Sequence, residues 1–171
     1  MILTTSTLNR VMVVELALPA MLPGLLVGWH YAVQLSRPRW GYGSDQQGAR
    51  SPWIVGGMIV LGVGAVLAAL ATAWMERSLI LGVCSALVAF LLIGIGVGAS
   101  GTNLLALLAT RTEPSRKAAA AAIVWIMMIS GFVITATVAG RLLDPFSLSR
   151  LVGVTAGTAT LAVITSMLAV W

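Results

Sequence analysis

The sequence predicts an all-α, polytopic membrane bundle of about six transmembrane segments, arranged as a single membrane domain over residues 1–171. Three observations carry this reading. First, 59% of the residues are hydrophobic and only 9% are charged, whereas a soluble domain carries about 25% charged residues. Second, the mean hydropathy is +1.01, which also excludes a disordered chain, because such chains are polar and rich in charge. Third, the charges gather in short polar stretches separated by long uncharged runs. Such runs can cross roughly 30 Å of hydrocarbon at about 1.5 Å per residue. Ten Lys/Arg against five Asp/Glu give a net charge of +5. In a membrane protein this excess marks cytoplasmic loops, and no nucleic-acid partner is expected. The lone Cys84 excludes an internal disulfide and a cysteine metal site, and the lone His30 excludes a multi-histidine site. No metal site is expected.

The elements follow in order. Residues 2–16 read as an apolar helix interrupted by Asn9, Arg10 and Glu15. This is short for a full crossing, so a first span lacking its beginning is expected. A signal peptide is disfavoured, because a basic leading region and a small-residue cleavage site are missing. Pro19 and Pro23 predict a turn near Leu18 and a second segment over 20–36. The stretch 37–51 is expected to be a polar loop. The third span covers 52–74, with Pro52 near its start, where a missing N–H costs little, and Trp53 and Trp74 at its two ends as an aromatic belt. Met75-Glu76-Arg77-Ser78 forms a tight turn. Residues 79–110 exceed what one span needs and predict a long helix that tilts or projects beyond the bilayer. A loop over 111–117 leads to the span 118–140. Asp144-Pro145 marks the next turn, and 151–171 is the last span.

Orientation follows from the basic residues. Arg37, Arg39, Arg50, Arg111, Arg116 and Lys117 fall on one side, and Arg77, Arg141 and Arg150 on the other. The 37–51 and 111–117 loops are therefore expected in the cytoplasm, together with both chain ends. The first of these loops carries Gly41, Asp45, Gly48 and Arg50 in the spacing G-x3-D-x2-G-x-R. Glycines permit a tight loop with close backbone approach. Asp45 can accept hydrogen bonds from a helix N-terminus or pair with a base. A latch of this kind can hold one state and release another. The plain alternative is a positively charged loop rich in turn residues. The spacing, and its position between the second and third spans, resemble the loop signature of the major facilitator superfamily of transporters. Gln46 and Ala49 stand where that pattern has basic residues, which weakens the latch. The stretch Thr110-Arg-Thr-Glu-Pro-Ser-Arg-Lys117 before an alanine run is similar to that superfamily's fourth-to-fifth helix connection.

Four further segments narrow the resemblance. They are Thr5-Ser-Thr-Leu-Asn-Arg-Val-Met-Val-Val-Glu-Leu-Ala-Leu-Pro-Ala20, Leu92-Ile-Gly-Ile-Gly-Val-Gly-Ala-Ser-Gly-Thr-Asn-Leu-Leu105, Ile123-Val-Trp-Ile-Met-Met-Ile-Ser-Gly-Phe132 and Leu143-Asp-Pro-Phe-Ser-Leu-Ser-Arg-Leu-Val152. They resemble the PucC/LhaA family of light-harvesting complex assembly proteins, a branch of the major facilitator superfamily. The resemblance implies the N-terminal half of a major-facilitator fold of roughly twelve helices, with the first helix truncated. It implies a bacterial inner (intracytoplasmic) membrane and an assembly role for bacteriochlorophyll-containing antenna complexes, with pigment held or delivered. Antenna polypeptides and pigment-synthesis enzymes are the implied partners. A separate C-terminal half, or a second copy in a homodimer, would complete the fold. The alternative is half of a small-molecule secondary transporter, which needs a site between two half-bundles. A third is a fragment without function.

Several residues are candidates for the site. A charge at the bilayer centre costs about 2.5 to 3.5 kcal/mol on insertion scales, so Asn9, Arg10 and Glu15 are central-cavity candidates. Arg10 and Glu15 are five apart, off a common face of an α-helix, so a direct pair is not favoured. The alternative places Glu15 at the interface beside the Pro19 turn and lets Arg10 snorkel. His30, flanked by Trp29 and Tyr31, is a candidate axial ligand for bacteriochlorophyll magnesium, against the commoner case of a hydrogen-bonded structural histidine. Gly94, Gly96, Gly98 and Gly101 lie within an apolar span and so read as helix-packing positions, not as a nucleotide loop. Gly56, Gly57, Gly62 and Gly64 read the same way. No nucleophile–base constellation and no carboxylate pair can be assembled, so no enzyme is expected.

Overall fold

The computed structural model describes residues 3–170. Among them the chain is helical, with no strand. A π-helical turn Leu3–Thr7, a short helix α1 (Leu8–Arg10) and a second π-helical turn Val11–Glu15 run on from one another. The sharp turn that follows contains Ala17 at φ 50. Helix α2 (Met21–Val33) passes through a 3-10 turn, Gln34–Ser36, into α3 (Arg37–Gln47). Then come α4 (Ser51–Met75), α5 (Leu79–Arg111), α6 (Lys117–Leu142) and α7 (Leu148–Val170).

Local chemistry sets these boundaries. Pro52 sits in the first turn of α4, where no N–H is needed. Ser78 caps α5, its Oγ accepting from the Leu81 N–H at 3.5 Å. Gly48 ends α3 in the left-handed conformation at φ 65, which glycine adopts without a Cβ penalty.

Among the described residues, four helical stretches are long and apolar enough to cross a membrane: Ser51–Met75, Leu79–Arg111, Pro114–Leu142 and Leu148–Val170. The expected count of six is thereby corrected to four. The first segment is too short and is wound partly as π-helix. The second is cut by the 3-10 turn, leaving thirteen residues in α2, about 20 Å of helix. The stretch expected as a loop over 37–51 is also corrected, since most of it is the polar helix α3.

The bundle is organised around α5. Its small residues admit α4 on one side and α2 and α3 on the other. A Cβ added at Gly96 would lie 2.5 Å from Leu61 N and 2.6 Å from Gly57 O of α4. One at Gly57 would lie 2.6 Å from Ser100 N of α5. Turned away from α4, Gly94 meets Val33 of α2, and Gly98 meets the Trp40 indole of α3. The packing role expected of the glycines therefore holds at these positions. At Gly56 and Gly101 an added Cβ would meet nothing within 4 Å. Phe90, Ile93, Ala68, Ala69, Leu26, Met12 and Leu151 build one buried cluster around this seam. Helix α7 lies along α4. Helix α6 buries a single side chain, Ala139.

Candidate functional site

The α3–α4 elbow gathers all four residues of the glycine–aspartate signature. Trp40 of α3 lies over Gly98, and its Nε1 donates to Ser36 Oγ at 3.1 Å. Asn103, fully buried on α5, donates through Nδ2 to Ala99 O at 2.8 Å and to Trp40 O at 3.5 Å. These contacts hold α3 against α5. Gly41 faces Thr102 Cγ2 at 3.4 Å from where a Cβ would sit, and Gly43 faces the Trp53 ring at 3.0 Å. The Trp40 and Trp53 rings lie 6.2 Å apart, and Trp53 Nε1 donates to Gln47 Oε1 at 2.8 Å. Across the left-handed Gly48, Arg50 Nη2 donates to Asp45 Oδ1 at 2.6 Å. Asp45 thus pairs with a base inside its own motif. Its side chain is 60% exposed, so the pair contributes about 0 to 1 kcal/mol.

A second region is a cavity of about 560 Å³ between the N-terminal helical segment and the α6–α7 turn, lined by Ser6, Thr7, Arg10, Val11, Glu15, Ala136, Gly140, Leu143, Asp144 and Phe146. It brings together Arg10 and Glu15, which α-helical periodicity separates. The π-helical turn Val11–Glu15 closes i→i+5, with Leu16 N bonded to Val11 O at 3.0 Å, and this wider winding brings residues five apart nearer to one face. Asn9 does not line the cavity, and its Oδ1 is buried without a hydrogen bond. Among the described residues the ion pairs are Asp45–Arg50 and Glu113–Arg116, so Arg10, Glu15 and Asp144 share the cavity unneutralised by salt bridges.

His30 is fully buried on α2. Its Nε2 lies 2.6 Å from Gln34 Nε2, which fits a ring nitrogen accepting from the amide and leaves the proton on Nδ1. No hydrogen-bond partner meets Nδ1. Tyr31 packs edge-on at 5.1 Å between ring centroids, and Trp29 Nε1 donates to Leu87 O of α5 at 3.2 Å. Trp29 thus secures α2 against α5.

Sequence reasoning missed three contributors. Asp144 read only as a turn former. Trp40 drew no reading of its own within the expected 37–51 loop. Asn103, a lone amide in an apolar helix, was the one readable signal, since polar groups in membrane helices face protein.

Close-packed helices, four of them able to cross a bilayer, with a polar elbow and a charged cavity at helix ends, define a multi-pass helical membrane protein. A family model described as PUCC protein matches residues 7–171. The chain belongs to the PucC family. It is 53% identical over 175 residues to the "Bacteriochlorophyll synthase 44.5 kDa chain" of Rhodobacter capsulatus, covering 99% of this chain and 40% of that protein. "Protein PucC" of Rhodobacter capsulatus is 31% identical over 99% of this chain and 39% of its own length. "Protein PucC" of Rhodovulum sulfidophilum is 30% identical over all of this chain and 40% of its own length. The chain therefore spans about two fifths of the length of these relatives. No solved structure matches it significantly.

Proposed function

We propose that this chain acts, as part of a larger membrane unit, in assembling bacteriochlorophyll-containing light-harvesting complexes in the inner (intracytoplasmic) membrane of a phototrophic bacterium. The observation that carries the reading is membership of the PucC family over residues 7–171, beside a relative whose name refers to bacteriochlorophyll synthesis. Antenna polypeptides are the partners, meeting apolar helix faces, with pigment-synthesis enzymes supplying the pigment. The role is non-catalytic, and the fold is half of a major-facilitator bundle completed by a C-terminal half or a second copy. The test is a disruption strain grown phototrophically. Loss of near-infrared antenna absorption is expected, and normal antenna bands overturn the assembly role.

Pigment contact through His30 belongs to the same proposal. Since the side chain is fully buried, a bacteriochlorophyll would engage Nδ1 only after a local movement that uncovers the ring. Replacing His30 by Leu should lower co-purified pigment or shift its band, and unchanged content and band position remove the idea.

The second reading is half of a secondary transporter. The Asp45–Arg50 elbow favours it, because a weak ion pair spanning a left-handed glycine suits a contact that opens and closes. A disruption strain with intact antenna absorption and altered solute uptake would establish it.

A further inference from the structure

The cavity beside the N-terminal segment has a charge order of its own. Glu15 closes the helical segment and Asp144 lies in the turn after α6, so two carboxylates stand at one end of the bundle. Arg10 lies five residues further in, roughly 7 Å along a helix axis. The hydroxyl-bearing Ser6 and Thr7 lie about one turn further along the segment, and Phe146 supplies an apolar wall. None of the three charges is salt-bridged within the described residues. Arg150 donates through Nη1 to Pro145 O at 2.9 Å and is not among the ion pairs of the described residues. All three side chains are exposed at the cavity, so their charges are open to a ligand of complementary charge.

We propose that this cavity binds the headgroup of a phosphoethanolamine lipid. In such a lipid the ammonium is outermost, the phosphate lies below it and the acyl chains lie deepest. The protein presents the complement in the same order: two carboxylates, then a guanidinium with hydroxyls, beside apolar wall. An ammonium with three N–H donors suits two carboxylates, and Arg10 suits the phosphate by its forked geometry. A purely anionic headgroup would meet Arg10 only by facing Glu15 and Asp144 as well. The bilayer that surrounds the four spanning helices supplies the ligand at the level of the helix ends. The inference is independent of any role in pigment assembly.

The test is native mass spectrometry of the delipidated full chain with equimolar phosphatidylethanolamine, phosphatidylcholine and phosphatidylglycerol of identical acyl chains. Retention of phosphatidylethanolamine should exceed that of phosphatidylglycerol by about tenfold, the worth of one charge-assisted contact. Phosphatidylcholine, whose quaternary ammonium has no N–H, should fall between them. Glu15→Gln with Asp144→Asn should abolish the preference, and Arg10→Gln should weaken retention of all three lipids. Equal retention of phosphatidylethanolamine and phosphatidylglycerol by the unmodified protein overturns the proposal, and this comparison needs no variant to fold. A preference that survives in the double variant also overturns it. Displacement of the lipid by equimolar free phosphoethanolamine overturns the lipid source in favour of a soluble ligand.

Discussion

Replacing Gly96 by Ala tests the α4–α5 seam directly. A methyl there would sit 2.5 Å from Leu61 N and 2.6 Å from Gly57 O. Both are backbone atoms of a neighbouring helix and cannot rotate away. Ordinary contact begins at 3.4 Å, so the helices must part locally by roughly 1 Å, loosening contacts that decay steeply with distance. Overpacking a tight interior costs about 1 to 3 kcal/mol, and with backbone on both sides the upper end, about 3 kcal/mol, is expected. Gly101→Ala is the control, on the same helix with nothing within 4 Å of the new methyl. Exchanging Gly for Ala in a helix interior should there stabilise by about 0.5 to 1 kcal/mol. The assay is reversible unfolding in mixed micelles followed by far-ultraviolet circular dichroism. If Gly96→Ala unfolds within about 0.5 kcal/mol of the unmodified protein, the range of a neutral surface change, the seam is not what holds α4 to α5.

Three further outcomes follow from backbone and charge. Ala17 holds φ 50, so Ala17→Gly should raise stability by about 1 kcal/mol in the same unfolding assay. Gly48 holds φ 65 with open space around it, so Gly48→Ala should cost about 1 kcal/mol from conformation alone. For the Asp45–Arg50 pair, a double-mutant cycle with Asp45→Asn and Arg50→Gln should return a coupling below about 1 kcal/mol. That coupling should shrink further when unfolding is repeated in high salt.

What could be read from the sequence was whatever membrane solvation dictates. Uncharged runs bounded by Glu76-Arg77, Arg111 and Arg141 had to be buried in apolar surroundings with their backbone satisfied internally, and they are the four long helices. The stretch 37–47 was misread because Gly41, Gly43 and Asp45 are turn formers locally. Packing on α5 through Trp40 and Asn103 overrides that propensity. The Arg10–Glu15 relation was hidden by the assumption of α-helical periodicity, whereas the observed winding is partly π. The place of Asp144 depends on how α6 and α7 return to the first segment, which no local pattern encodes.

Helix α6 begins at Lys117, has Arg141 in its last turn, and buries almost nothing between them. Its place in the bilayer is then fixed by its own apolar length and its basic ends, as for a helix inserted alone. Within the described residues such a helix is only loosely tied to the α4–α5–α7 body, so this chain taken alone should unfold in two steps. Amide exchange would show α6 keeping its internal hydrogen bonds under conditions that disperse the rest.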